Sequence, residues 1–157
     1  MDHLSEMLSE AKILFDLEAS DFSTCLPDMV SALVERGVLN AEQGNELTQA
    51  LASREALGAT GVGRGVVIPH AYLASIPEAL ICFARLRSPV AHESPDGEPA
   101  DLIFLLSGPP ESQTTHLMML ARIVRLVHDQ AMLTSLRQAG SAAEVLAAIV
   151  DVEKRHA

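Results

Sequence analysis

Hydrophobic residues along the chain fall into short continuous runs and into longer stretches with helical spacing. Four short runs predict strands, at 12–17, 66–68, 79–86 and 102–106. Five stretches with apolar residues three and four apart predict helices, at about 24–36, 40–57, 112–128, 130–138 and 141–153. The run at 102–106 is apolar throughout, which is typical of a strand that is buried on both faces.

Polar residues and glycines mark the ends of the first two predicted helices. Asp21 or Ser23 can cap the first helix, and Gly37 can end it. Asn40 followed by Gln43 has the spacing of a capping box at the start of the second helix. The order of elements, β-α-α-β-β-β-α-α-α, predicts one α/β domain over residues 1–157, with helices on both faces of a sheet. Residues 1–10 are polar and mildly helical, and we expect them to form a loose extension.

Composition and charge narrow the classes of function. The chain has 157 residues, of which 48% are hydrophobic and only 3% are aromatic. The chain has 11 Lys and Arg residues and 21 Asp and Glu residues, so its net charge is −10. Binding to nucleic acid or to an anionic membrane surface is therefore disfavoured. An acidic protein suits a basic protein partner.

We expect the chain to be cytoplasmic and not embedded in a membrane. Its first residues lack the basic and apolar segments of a signal peptide, and no apolar run approaches the roughly 18 residues that span a bilayer. Cys25 and Cys82 lie far apart and outside any metal-binding or redox spacing, which fits a reducing compartment. The histidines form no His-Glu-x-x-His pattern, so we expect no metal site.

The segment that ends at His70 carries candidate chemistry. Four glycines lie within 58–65, which predicts an irregular loop. Gly61, Gly63 and Gly65 can bring backbone N–H groups close to an anion, or can form a flexible turn between a helix and a strand. His70 follows at the carboxyl end of a short strand, the edge at which ligands gather in α/β sheets. An imidazole there can accept a phosphoryl group, or can have no role.

Two further side chains are candidates for anion binding. Arg54 lies on the apolar stripe of the second helix, in its last turn, and needs a partner. Phosphate oxygens, a buried carboxylate or a stem that reaches solvent would each satisfy it. His116 lies in the first turn of the helix at 112–128, where free N–H groups favour anions and a neutral imidazole. A capping or core histidine is the alternative interpretation.

Taken together, these residues resemble the signature of a known family. The matching segments are Arg54-Glu55, Thr60-Gly61-Val62-Gly63, Val66-Val67-Ile68-Pro69-His70-Ala71, Ser88-Pro89-Val90, Asp96-Gly97-Glu98-Pro99, 102–107 and His116-Leu117. Over residues 12–150 the chain resembles the enzyme IIA domains of the fructose/mannitol class of the bacterial phosphoenolpyruvate-dependent sugar phosphotransferase system. The nitrogen-regulatory enzyme IIA-like proteins share this signature. The resemblance implies a three-layer α/β/α fold with a small mixed sheet, and extensions at 1–11 and 151–157.

The resemblance also implies roles for individual residues. His70 matches the histidine that becomes phosphorylated, His116 matches a second active-site histidine, and Arg54 matches an arginine near the phosphate. The loop expected to bind the phosphate contains Thr60, Gly61, Gly63 and Gly65. No cofactor or metal is implied.

The implied phosphoryl donor is a small histidine-containing phosphocarrier protein. The phosphoryl group would pass to an enzyme IIB domain in sugar transport, or would act as a signal to a regulated target protein. The sequence contains no IIB or IIC segment, which favours regulation of the nitrogen type. The alternative is a non-catalytic binding module of a membrane transporter with the same fold. Val67, Ala71 and Tyr72 depart from the usual signature, and we expect Tyr72 to affect partner docking.

Overall fold

A computed structural model describes residues 3–156 as a five-stranded sheet with helices on both faces. The strands are β1 (Ile13–Leu17), β2 (Gly61–Gly63), β3 (Val66–Val67), β4 (Leu80–Val90) and β5 (Ala100–Ser107). The α-helices are α1 (Leu4–Met7), α2 (Phe22–Glu35), α3 (Ala41–Leu57), α4 (Gln113–Val127), α5 (Gln130–Gln138) and α6 (Ala142–Arg155). Single 3-10 turns, Glu10–Lys12 and Pro110–Ser112, precede β1 and α4.

The sheet is mixed, with the strand order β1-β4-β5-β3-β2. Strand β4 pairs in parallel with β1 and antiparallel with β5, while β3 pairs in parallel with β5 and antiparallel with β2. This arrangement confirms the expected α/β fold. Since β3 ends beside the central strand β5, the chain that follows β3 emerges at an edge of the sheet, where a site can form.

Strand β2 was not expected from the sequence, and it replaces the predicted irregular loop at 58–65. Gly61–Gly63 pairs with Val66–Val67, and a two-residue turn joins the two strands. The turn residues Arg64 and Gly65 have φ angles of 57° and 82°. Two positive φ angles in succession match the twist of a tight β-hairpin, and glycine adopts them at little cost.

Alternate residues of β4 and β5 point into two separate hydrophobic cores. Ile81 and Phe83 pack with α1 and with α4 to α6, whereas Cys82 and Ala84 pack with α2 and α3. The rings of Phe83 and Phe104 lie 5.2 Å apart in the first core. Burial on both faces explains the continuous apolar runs of these strands and gives the expected three layers.

The helix ends follow the predicted caps. The Asp21 carboxylate accepts a hydrogen bond from the backbone of Thr24, and Asn40 and Gln43 form the complete capping box. None of the helices within residues 3–156 is both long and apolar enough to cross a bilayer.

The two ends of the described chain pack against each other, which the sequence did not predict. Leu4 and Leu8 are buried, and Leu4 is only 1% exposed. The Leu4 backbone N–H donates to Glu153 Oε2 at 2.8 Å, and Val152 lies in the core beside α1. The expected loose extension at 1–10 is thus wrong for residues 4–8, because Leu4 in α1 and Leu8 just after it are both buried in the core that contains Val152. Residues 151–155 continue α6.

Candidate functional site

A cleft of about 770 Å³ opens between the end of α3, the segment after β3 and the start of α4. Its lining residues are Ala50, Ser53, Arg54, His70, Ala71, Tyr72, Gln113, Thr114, His116, Leu117 and Leu120. The fold therefore brings together Arg54, His70 and His116, which the sequence singled out separately. The net charge of the chain is −10, yet the lining contains one arginine, two histidines and no carboxylate.

The backbone around His70 extends the line of β3 along β5. Leu106 N–H donates to the Pro69 carbonyl at 2.9 Å, and Ala71 N–H donates to the Leu106 carbonyl at 3.2 Å. These bonds hold His70 in parallel register with Leu106, just beyond the carboxyl end of β3. The imidazole is half-buried at the mouth of the cleft.

A single hydrogen bond determines which nitrogen of His70 is free. Its Nδ1 lies 2.9 Å from the carbonyl oxygen of Ile68. A carbonyl oxygen can only accept, so Nδ1 carries the proton and donates. In the neutral ring the lone pair is then on Nε2, which makes Nε2 the nucleophilic atom.

His116 is buried in the first turn of α4, with 1% of its surface exposed. Its Nδ1 lies 3.1 Å from the hydroxyl oxygen of Tyr72, and the two rings are tilted by 37° with centroids 5.4 Å apart. Burial and, to a smaller extent, the nearby His70 lower the pKa of His116, which keeps its ring neutral at pH 7. Its Nε2 is buried without a hydrogen-bond partner among residues 3–156.

Arg54 lies in the last turn of α3, as the apolar stripe predicted. Its Nη1 donates to the carbonyl oxygen of Gly58, the C-cap residue of α3, at 3.0 Å, so this carbonyl has a hydrogen-bond partner at the end of the helix. No ion pair between Arg54 and a carboxylate occurs within the described part of the chain. Of the three predicted alternatives, the structure does not support a buried carboxylate, and phosphate oxygens or a stem that reaches solvent remain for this partly exposed side chain.

The glycine-rich segment lies outside the cleft. None of Gly61, Gly63 and Gly65 is among the residues that line it. A Cβ atom at Gly65 would lie 2.5 Å from Asp101 Oδ1, so this glycine permits close packing against Asp101. Thr60 is buried, and its hydroxyl donates to Glu55. A hairpin turn and close contacts account for these glycines, and their binding of a phosphate stays a prediction.

The departures from the family signature fall into two groups. Val67 lies in β3 and is buried in the core beneath α2 and α3, away from the cleft. Ala71 and Tyr72 line the cleft, and the Ala71 carbonyl accepts a hydrogen bond from Ser107 Oγ at 2.7 Å. The contact of Tyr72 with His116 joins residues 44 positions apart, and no local pattern in the sequence reveals it.

No group of three or more His, Cys, Asp or Glu side chains is arranged to hold a metal ion in residues 3–156. Both cysteines are buried and unpaired. Burial raises the pKa of Cys25 to about 11 and that of Cys82 to about 12, so both remain thiols at pH 7. The polar groups of the cleft are therefore the strongest candidates for chemistry.

Comparison with known proteins places the chain in one family. The family model described as "Phosphoenolpyruvate-dependent sugar phosphotransferase system, EIIA 2" matches residues 6–152. A nitrogen regulatory protein of Bradyrhizobium diazoefficiens is 36% identical over 134 residues, which cover 85% of this chain and 86% of that protein. The fructose-specific EIIABC component of Bacillus subtilis is 33% identical over 153 residues, covering 98% of this chain but only 23% of that longer protein.

A solved structure agrees with these sequence matches. The crystal structure of nitrogen regulatory protein IIA-Ntr from Neisseria meningitidis superposes with a TM-score of 0.83 and 32% identity, covering 93% of this chain and 98% of that one. On both sequence and structure, the chain belongs to the EIIA 2 family of the phosphoenolpyruvate-dependent sugar phosphotransferase system.

Proposed function

We propose that the chain accepts a phosphoryl group on Nε2 of His70 from a histidine-containing phosphocarrier protein. The observation that carries this proposal is the cleft itself. In a strongly acidic chain, its wall combines a free imidazole nitrogen, an arginine and a helix start with no carboxylate. Such a wall favours a dianionic phosphoryl group and disfavours cations.

The transfer step follows from the hydrogen bond that holds His70. The lone pair of Nε2 attacks phosphorus in line with the N–P bond of the donor phosphohistidine. As the new N–P bond forms, the old one breaks, and the donor ring leaves as a neutral imidazole that keeps the proton on its other nitrogen. His70 retains its Nδ1–H, and the Ile68 carbonyl stabilises the positive charge that develops on the ring.

Three groups around His70 are suited to the charge on the phosphoryl oxygens. Arg54 has guanidinium donors beyond the one that binds Gly58, and these can hold two oxygens at once. The first turn of α4, with Gln113 and Thr114 in the cleft wall, contributes the positive end of a helix dipole. His116 supplies a neutral ring at the same end.

A regulatory role of the nitrogen type is the favoured use of this phosphoryl group. The Bradyrhizobium and Neisseria relatives that match this chain over most of their own length are both named nitrogen regulatory proteins. In this role the phosphorylated and unphosphorylated forms would differ in their binding to a target protein. Transfer to a cysteine of an enzyme IIB domain is the second use, and the fructose-specific relative supports it.

Intact mass measurement tests the proposal. The folded chain is incubated with phosphoenolpyruvate, enzyme I and the phosphocarrier, and its mass should rise by one phosphoryl group. His70→Gln keeps a hydrogen-bonding side chain of similar size but lacks the ring nucleophile, and should gain none. His92→Gln, which alters a histidine outside the cleft, should gain phosphate normally. A folded wild-type chain that gains no phosphoryl group would favour the non-catalytic binding module.

A further inference from the structure

Tyr72, the only tyrosine of the chain, connects the segment after His70 to α4. It lies two residues after His70, and its hydroxyl oxygen is 3.1 Å from His116 Nδ1. Both residues line the cleft. The hydroxyl therefore contacts the second histidine of the site from the loop that carries the first.

The direction of this hydrogen bond sets the position of the His116 proton. Burial raises the pKa of the Tyr72 hydroxyl, so the phenol remains protonated. Burial and His70 lower the pKa of His116, so its ring is neutral and has one N–H. A phenolic O–H donates well to the lone pair of an imidazole nitrogen. When Tyr72 donates to Nδ1, the proton of His116 must be on Nε2.

The Nε2–H group that results has no acceptor within the described residues. His116 Nε2 is shielded from solvent and makes no hydrogen bond. Buried donors are nearly always paired, because an unpaired donor loses its hydration without compensation. The ring lies near enough to His70 for the charge of His70 to affect its pKa. A phosphoryl oxygen on His70 would supply an acceptor that the unphosphorylated cleft lacks.

We propose that Tyr72 is a positioning residue whose hydroxyl holds His116 as the Nε2–H tautomer, so that His116 donates to a phosphoryl group on His70. This inference rests on the proposed function. It gives Tyr72 a role inside the cleft, besides the effect on partner docking that the sequence predicts. Donation by a ring whose proton is already in place requires no reorganisation at the moment of transfer.

Nitrogen-15 NMR of the histidine rings tests the tautomer without any phosphorylation. The wild-type chain should show His116 as a neutral ring protonated at Nε2. Tyr72→Phe keeps the aromatic ring and removes the hydroxyl, so the signals should shift toward a mixture of the two tautomers. Ser75→Ala is the matched control, because it removes an exposed hydroxyl from the same loop, where Ser75 binds Glu46 outside the cleft. It should leave the His116 signals unchanged.

A transfer measurement then connects the tautomer to function. The phosphorylated Tyr72→Phe chain should return its phosphoryl group to the phosphocarrier about fivefold more slowly than the wild type, while Ser75→Ala returns it at the wild-type rate. Protonation of wild-type His116 at Nδ1, or an unchanged tautomer in Tyr72→Phe, would overturn the positioning role. A wild-type chain that takes up no phosphoryl group would instead overturn the proposed function. The wild-type spectrum still tests the premise if Tyr72→Phe misfolds, because a His116 ring protonated at Nδ1 cannot accept a hydrogen bond there from Tyr72.

Discussion

Two clefts flank opposite faces of the carboxyl end of α3, and each contains a histidine whose buried Nε2 has no hydrogen-bond partner in the described part of the chain. The first is the cleft of His70 and His116. The second, of about 580 Å³, contains His92, which stacks on Phe22 with ring centroids 3.9 Å apart. Burial lowers the pKa of both His116 and His92. Shielding from water therefore does not distinguish the two sites.

The charge of the surroundings does distinguish them. Glu55 and Glu93 line the second cleft, and their charges act on His92 in the direction opposite to burial. In the first cleft the nearby ionisable groups are Arg54 and His70, with no carboxylate in the wall. A phosphoryl group would meet repulsion in the second cleft and attraction in the first. From this difference in charge we expect anion binding in the first cleft and not in the second.

The largest effect expected from a charge change is at Arg54. Arg54→Met keeps most of the apolar stem and removes the guanidinium, so phosphoryl acceptance should fall at least about tenfold. Stopped-flow or quenched transfer from the phosphocarrier measures this rate. The free energy of unfolding in urea should change by only about 1 kcal/mol, because Arg54 makes no buried ion pair.

The control for Arg54 is Arg87→Met. Arg87 is exposed and forms an ion pair with Glu18, away from both clefts. Its loss removes the same charge from the chain and should leave acceptance unchanged. If the two variants accept phosphoryl groups equally well, the anion-binding role of Arg54 is wrong.

The two histidines with a shielded Nε2, His116 and His92, should differ in function by a smaller amount. His116→Ala should still gain a phosphoryl group, because His70 remains, but should return it to the phosphocarrier about tenfold more slowly. His92→Ala should match the wild type in both directions. A folded His116→Ala chain that gains no phosphoryl group at all would move the acceptor role from His70 to His116.

The lowered pKa values of His116 and His92 should appear in the pH dependence of the free energy of unfolding. Their pKa values in the folded chain lie below the ordinary 6.5, so the unfolded chain binds more protons just below that value. The free energy of unfolding should be highest above about pH 6.5 and should fall as the pH drops toward 5. Hydrogen bonds from Ser23 and Thr24 lower the pKa of Asp21 below 3.8, so this carboxylate titrates outside the window.

Urea unfolding at several pH values measures this change in the free energy of unfolding, the smallest of the expected effects. Replacing either histidine with Gln, which does not titrate, should reduce the slope between pH 7 and pH 5. The two replacements should act alike, in contrast to their effects on transfer. A slope that neither replacement reduces would mean that other groups cause the acid sensitivity.

The parts of this fold that were predictable carry their signal in local sequence. Residues 80–84 of β4 and 102–106 of β5 are continuous apolar runs because both faces are buried there, and Asn40 and Gln43 specify a cap within four residues. Strand β2 escaped prediction because Gly61–Gly63 has a single apolar side chain and no alternation. The burial of Leu4 was missed because its partners lie on α6, almost the whole chain away.

In the candidate site, too, the residues that could be predicted are those with a local sequence signal. Arg54 and His70 stand out by an apolar stripe and a strand end, and both lie in the cleft. Gly65 lies outside the cleft and packs closely against Asp101, and a glycine for such a contact looks, in sequence, like a glycine for a phosphate. The contact of Tyr72 with His116 depends on tertiary packing alone.

The most direct test of the account is to locate the phosphoryl group on the phosphorylated wild-type chain. A digest under alkaline conditions, which preserve phosphohistidine, followed by mass spectrometry identifies the residue, and phosphorus-31 NMR of the intact chain identifies the nitrogen. Because the hydrogen bond to the Ile68 carbonyl occupies Nδ1, the account predicts a single phosphoryl group on Nε2 of His70. Mild acid should remove this group. A phosphoryl group on Nδ1 of His70, or on any other histidine, would contradict it.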